Sequence, residues 1–203
     1  MKSPRISLFL LVFLCLAPIL VLAQVPVTPP STVDPALLAS AGAGNADAQI
    51  KAGDAYAAGS GAQRDARQLA ADYKQAALWY RKAADQGNIA AEIKLADLYR
   101  DGRGVPRDMA QAVAWYRKDA DQGDAGAQGT LGLLYSVGMG VAQDYIEAYY
   151  WLDLASAAKG PNQARYMANR QSVGEHITTD QQQTVEDRVV AWKAAHPRAD
   201  SAQ

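Results

Sequence analysis

Two histidines, His176 and His196, and one cysteine, Cys15, are the only imidazoles and thiol in the 203 residues. Both histidines lie in irregular stretches, and no cysteine or second close histidine completes a metal set. Each reads as a turn or helix-end residue. Glu175 beside His176 suggests an acid/base pair, but adjacent side chains diverge, and nothing supplies a nucleophile with an oriented base. Gly102 with Gly104 and Gly138 with Gly140 form two Gly-x-Gly turns. Neither is a phosphate cradle, because no Lys-Ser/Thr opens the helix that follows. Trp79, Trp115, Trp151 and Trp192 can be drawn as an aromatic ladder for sugars or peptides, but their strict register marks them as packing residues. Truncating such a residue to alanine in a core costs about 3–5 kcal/mol. Tyr56, Tyr99 and Tyr135 belong to the same class. No catalytic residue, metal or cofactor is expected, and the chain is read as a non-enzyme.

The elements that carry these residues repeat. Leu98-Tyr99, Gly102, Gly104, Asp108, Ala112 and Trp115 return as Leu134-Tyr135, Gly138, Gly140, Asp144, Ala148 and Trp151, each 36 positions later, and Gly123 returns one residue late as Gly160. A fixed period in this range signals a solenoid of stacked helical pairs in which no unit buries its apolar face alone. Each unit reads as helix, Gly-rich turn, helix, Gly turn. The second helices start at Asp72, Asp108 and Asp144, whose carboxylates are suited to the orphan N–H groups of a first turn. Ala76/Trp79, Ala112/Trp115 and Ala148/Trp151 at i, i+3 place alanine and tryptophan on one face. Gly87 and Gly123 each follow Ala-Asp-Gln and suit left-handed C-caps. Small residues at 53, 96 and 132, three before each tyrosine, let a neighbouring helix approach closely.

The repeat domain is assigned to 34–197. Asp34-Pro35 reads as an N-cap and first helical residue, opening a half-repeat cap at 34–44. Repeat 1 (48–87) carries seven extra residues between Gly61 and Asp72, read either as an enlarged loop on one face or as an added helical turn before Asp72. Repeat 2 covers 91–123 and repeat 3 covers 127–160. A divergent C-terminal cap occupies 162–197, with a first helix over 162–173, and Thr179-x-x-Gln182 as a capping box for a last helix through Val185, Val189 and Trp192. Residues 198–203 are expected to fray.

Ahead of this body, Lys2 and Arg5 precede an apolar run from Leu8 to Leu22, and Val21-Leu22-Ala23 supplies small residues before Gln24. Residues 1–23 therefore read as a secretory signal peptide cut near Ala23. Pro18 and the shortness of the run disfavour a membrane anchor, and Leu14 ahead of Cys15 disfavours lipidation. Residues 24–33, rich in proline, read as a linker. Cleavage leaves no cysteine and hence no disulfide. It also removes Lys2 and Arg5, taking the formal charge from −1 to −3. A weakly acidic chain has no electrostatic basis for binding nucleic acid or anionic membrane.

The run Ala-x3-Leu-Gly-x2-Tyr-x2-Gly-x-Gly-Val-x2-Asp-x3-Ala-x2-Trp-x8-Gly, spanning Ala48 to Gly160 in three units, resembles the Sel1-like repeat, a relative of the tetratricopeptide repeat. The resemblance implies an all-α solenoid, a right-handed αα superhelix whose concave face binds peptides or proteins. Repeat 1 departs from it by its insertion and by Ala52 in place of leucine. Some exported members carry disulfides and are linked to β-lactam binding, which a chain without mature cysteine does not inherit. The positions such a scaffold leaves free for a partner are Lys51, Asp54, Lys94, Asp97 and Arg100, which are charged, and Thr130 and Leu133, which are not. Ordinary solvated helix faces are the alternative reading of the same positions. The chain is expected to be an exported adaptor of the cell envelope, periplasmic or secreted, with an unidentified protein or peptide as partner. Peptidoglycan or β-lactam binding or hydrolysis is the alternative, and a structural spacer the third.

Overall fold

A computed structural model describes residues 33–58 and 65–197. The signal sequence, all of the linker but Val33, the first part of the insertion and the tail lie outside those residues. Nine helices and no strand are found among the described residues: α1 (Pro35–Gly42), α2 (Ala46–Ala57), α3 (Ala66–Ala84), α4 (Ile89–Asp101), α5 (Met109–Asp121), α6 (Ala125–Val137), α7 (Tyr145–Ala157), α8 (Gln163–Gly174) and α9 (Thr179–Ala195). Each helix from α1 to α8 packs on its neighbours in sequence, as a solenoid of helical pairs requires. No helix among the described residues is long and apolar enough to cross a membrane.

Side-chain caps set most of the boundaries. Asp34 accepts from the N–H of Ala36, Asp108 from Gln111, and Asp144 from both Ile146 and Glu147, at 2.9–3.0 Å. Asn45, Asn88 and Asp124 cap the first helices α2, α4 and α6 in the same way. Asp72 does not cap. It is buried inside α3, whose N-cap is Asp65, accepting from Gln68 N–H at 2.8 Å. Residues 66–71 of the insertion thus lengthen the helix to 19 residues, against 13 in α5 and α7. Ala66, Arg67, Gln68, Leu69 and two further alanines favour helix, so the chain starts it at the first usable cap.

The expected box of Thr179 and Gln182 sits one residue earlier. Thr178 accepts from Gln181 N–H, and the Gln181 side chain receives the Thr178 N–H at 2.8 Å. Consecutive threonines and glutamines leave that register open, and Gln182 settles it by donating to the Gly174 carbonyl at 2.8 Å. The last first-helix, α8, runs one residue beyond its expected end and includes the buried Gly174, on which a Cβ would lie 3.1 Å from the Tyr149 ring.

The core runs the length of the stack. Ala76, Ala112 and Ala148 are wholly buried, as are Ala52, Leu95 with Ala96, and Leu131. Of the tryptophans only Trp151 is itself core; Trp79, Trp115 and Trp192 are half-buried and lie against the core. The fully enclosed aromatic is the following residue, Tyr80 or Tyr116, because it meets the first helix of its own unit while Trp79 and Trp115 lie between successive core clusters. Tyr56 is buried, whereas Tyr99 and Tyr135 are half-buried and bond Arg81 and Arg117 through their hydroxyls. Val33, at the end of the proline-rich segment, is buried.

Two close approaches fix the geometry. Within a unit, a Cβ on Gly53 would enter the Tyr80 ring, and one on Gly132 would lie 2.7 Å from Leu152 Cγ. Between units, a Cβ on Gly104 would collide with the backbone of Tyr73, and one on Gly140 with the backbone of Met109. Both latter residues are left-handed, at φ 71° and 78°. Gly87 is also left-handed, at φ 80°, but has open space around it. Gly104→Ala is therefore expected to lose about 3 kcal/mol, combining strain with collision, whereas Gly87→Ala loses about 1 kcal/mol from strain alone. Urea unfolding midpoints of the two variants provide the check, and equal losses would refute the close-approach role of Gly104.

Candidate partner-binding surface

The seven positions singled out for a partner fall on one row of first helices, α2, α4 and α6. Lys51, Lys94 and Thr130 share one register position, five residues before each tyrosine, and Asp54, Asp97 and Leu133 share another, two before it. The structure brings most of the charged members together and ties them up. Asp54 accepts from the Tyr80 hydroxyl at 2.7 Å and pairs with Lys94 of the next unit at 2.8 Å. Asp97 accepts from the Tyr116 hydroxyl at 2.6 Å and pairs with Arg100 at 2.6 Å. Arg100 also donates to Tyr116 at 2.9 Å and reaches Asp101 at 2.9 Å, and Arg103 closes on Asp101 at 3.6 Å.

Lys51 is exposed. Burial first, and then the hydrogen bond to Asp54 or Asp97, raises the pKa of Tyr80 and of Tyr116 far above the ordinary phenol range. Both hydroxyls stay protonated and serve as fixed donors. The aspartates are thereby latches between the helices of a unit as well as surface charges.

Unit 3 replaces the latch. Where units 1 and 2 hold Tyr80 with Asp54 and Tyr116 with Asp97, unit 3 holds Leu152 with Leu133. The substitution continues along α6, because Asp97, Asp101 and Arg103 of unit 2 become Leu133, Val137 and Met139. Leu133, Val137 and Met139 are 38%, 61% and 42% exposed, so an apolar strip stands open beside the charged stretch. Sequence reasoning singled out Leu133 but missed Val137 and Met139. The signal was present in the 36-residue register, which reaches past the helix into the turn.

A second concavity, of about 710 Å³, lies at the far end between α8, α7 and α9, lined by Tyr149, Met167, Arg170, Gln171, Glu175 and Gln182. It opens because α9 packs on α7 rather than against α8. Its guanidinium is already engaged by Asp153 at 2.8 Å and by the Tyr149 hydroxyl at 3.0 Å. The two histidines are also occupied in packing: His176 stacks on Tyr145 at 4.4 Å, and His196 stacks on Trp192 at 4.2 Å. Among the described residues no group of three or more His, Cys, Asp or Glu side chains is placed to hold a metal ion.

An unbroken stack of helical pairs with an open row of first helices defines the molecule as an αα-repeat scaffold. Three consecutive stretches, 46–88, 89–124 and 125–159, match the Sel1 repeat, so the chain belongs to the Sel1 repeat family, whose arrays generally serve as non-catalytic scaffolds for protein contacts. Among solved structures it is similar to c5321, a protective antigen of uropathogenic Escherichia coli strains displaying an SLR fold, with 30% identity and a TM-score of 0.59 over 81% of this chain and 41% of that one. The chain thus spans less than half the length of that relative. It is also similar to a Sel1 repeat protein from Oxalobacter formigenes, with 30% identity and a TM-score of 0.55 over 68% of this chain and 96% of that one. Comparison with curated proteins finds no match.

The latch is open to a double-mutant cycle. Asp97→Asn and Tyr116→Phe are each expected to cost about 1–2 kcal/mol in urea unfolding, and the double variant should cost less than their sum by about 1 kcal/mol. Strict additivity would show that the two groups do not act as one latch.

Proposed function

We propose that the protein is an exported adaptor of the bacterial cell envelope that holds a partner protein or peptide along the row α2, α4 and α6. The observation that carries this reading is the change of chemistry along one repeated row: paired charges in units 1 and 2, and the exposed apolar strip of Leu133, Val137 and Met139 in unit 3. A row serving only as a solvated face gains nothing from exposing three adjacent large apolar side chains. A partner that sets an apolar anchor on α6 removes them from water, at about 25 cal/mol per Å² buried. The charged end then fixes its direction and register, since rim ion pairs contribute selectivity more than affinity. Export is supported by Lys2 and Arg5 ahead of the apolar run and by Val21-Leu22-Ala23 at its end.

Photoreactive residues at Val137 and at Leu78 in the full chain, expressed in its bacterial host, test both parts. Leu78 is 50% exposed on second helix α3 and serves as the control face. A recurrent protein adduct at Val137 and none at Leu78, on a chain whose N-terminus is Gln24 in the periplasmic or secreted fraction, is the expected outcome. Adducts at Leu78 alone would overturn the choice of row, and an unprocessed cytoplasmic chain would overturn export. The variant Val137→Glu with Met139→Glu is expected to weaken capture by at least about tenfold with little change in melting temperature.

A further inference from the structure

Unit 2 departs from its sister units at a place that the partner row does not use. Gln49, Glu92 and Gln128 occupy one position of the first helices, and all three are buried. Gln49 and Gln128 each donate an amide N–H to a carbonyl eight residues back, Ala41 and Ala120, at 3.1 Å. Glu92 lacks that N–H. Opposite it, the second helices carry Ala83, Asp119 and Ala155 at one position. Unit 2 alone is acidic at both positions, and both side chains are wholly buried.

The groups around this pair are few. Lys118 of α5 reaches Glu92 Oε1 at 2.5 Å and is itself 47% exposed. Asp124, the N-cap of α6, adds a further negative charge near Asp119 and is spent on the N–H of Ala127. Among the described residues, one half-exposed cation thus faces two buried carboxyl groups. Glu92 Oε2 and both Asp119 oxygens are buried and meet no N–H or hydroxyl donor among the described residues, and the two carboxyl groups lie close enough to interact directly. Two carboxyl groups bond each other only with a proton between them.

We propose that Glu92 and Asp119 form a proton-operated clasp between α4 and α5. With the proton in place the two helices are bonded through a neutral acid and a carboxylate held by Lys118. With the proton gone, two like charges share a water-free interface, and unit 2 loosens. The clasp operates whether or not the first-helix row holds a partner.

Burial, followed by the hydrogen bond and charge of Glu92, pushes the Asp119 carboxyl up to about 8, with Lys118 opposing. The unfolded chain loses the same proton near pH 4. Between those values the folded state holds one more proton than the unfolded state. Stability from this group is therefore full at about pH 4 and falls as pH rises, by up to roughly tenfold in the opening equilibrium per unit, until about pH 8.

Hydrogen exchange of the full chain at pH 6.0 and 8.5, corrected for intrinsic rates, tests the clasp in the wild type, Glu92→Gln and Asp119→Ala. These substitutions install the residues that the sister units already carry. In the wild type the opening equilibrium of α4 and α5 is expected to rise on the order of 30- to 100-fold between the two pH values, well above any rise in α7. In both variants that excess should shrink to within about threefold. Asp119→Asn serves if the alanine variant does not fold. A wild type without excess pH sensitivity in α4 and α5 would overturn the proposal. So would a sensitivity that survives the substitutions, or substitutions that shift protection equally at both pH values.

Discussion

The rest of the molecule depends on how closely the two helices of a unit approach, because that distance sets where every later unit lies. Gly53 against Tyr80 and Gly132 against Leu152 leave no room for a Cβ in the first helix, and Ala76, Ala112 and Ala148 are wholly enclosed in the second. The next unit is then positioned by backbone contact, Gly104 on Tyr73 and Gly140 on Met109. These contacts join main chain or small side chains to a neighbour and tolerate little slack. Stacking such units makes one continuous core, in which Tyr99 and Trp115 pack against the clusters on both sides. Each unit thus completes the interface left open by the one before it.

Within that frame the polar residues on the first helices have a double duty. Asp54 and Asp97 hold a buried tyrosine hydroxyl while meeting Lys94 and Arg100 at the surface. Unit 3 solves the same interface with Leu152 and Leu133 and presents apolar surface instead. A change made at the helix interface is therefore visible outside, so the packing and the surface of the row vary together. The Glu92–Asp119 pair is a third solution, in which the polar link lies deep between α4 and α5 rather than at the rim.

The ends of the stack follow different rules. At the start of the described residues α1 covers α2 through Leu37, Leu38 and Ala41. At the other end α9 leaves the repeat path and lies on α7, sending Val185 and Val189 into the core with Trp192 beside them. That displacement closes the apolar side of α7 and opens the hollow beside α8. Closing an array by refolding its last helix onto an earlier one hides the apolar edge that a further unit would otherwise cover.

Much of this was determined by sequence alone. The 36-residue period, the aspartate caps at 34, 108 and 144, and the Gly-x-Gly turns follow from local rules, since each cap or turn is satisfied by residues within a few positions. That Lys51, Lys94 and Thr130 share one position, and Asp54, Asp97 and Leu133 another, on α2, α4 and α6 was legible for the same reason: register within a repeat fixes which side of a helix a residue occupies. Tertiary structure decided what local rules leave degenerate. Asp72 and Asp65 are both good caps, and Asp72 is buried within α3 while Asp65 caps it. Trp79 and Tyr80 are equally plausible core residues, and the direction from which α2 approaches encloses the tyrosine. Whether a charged residue is free or latched, and whether Glu92 meets Asp119, depends on which helix lies opposite, a contact between residues far apart in the chain.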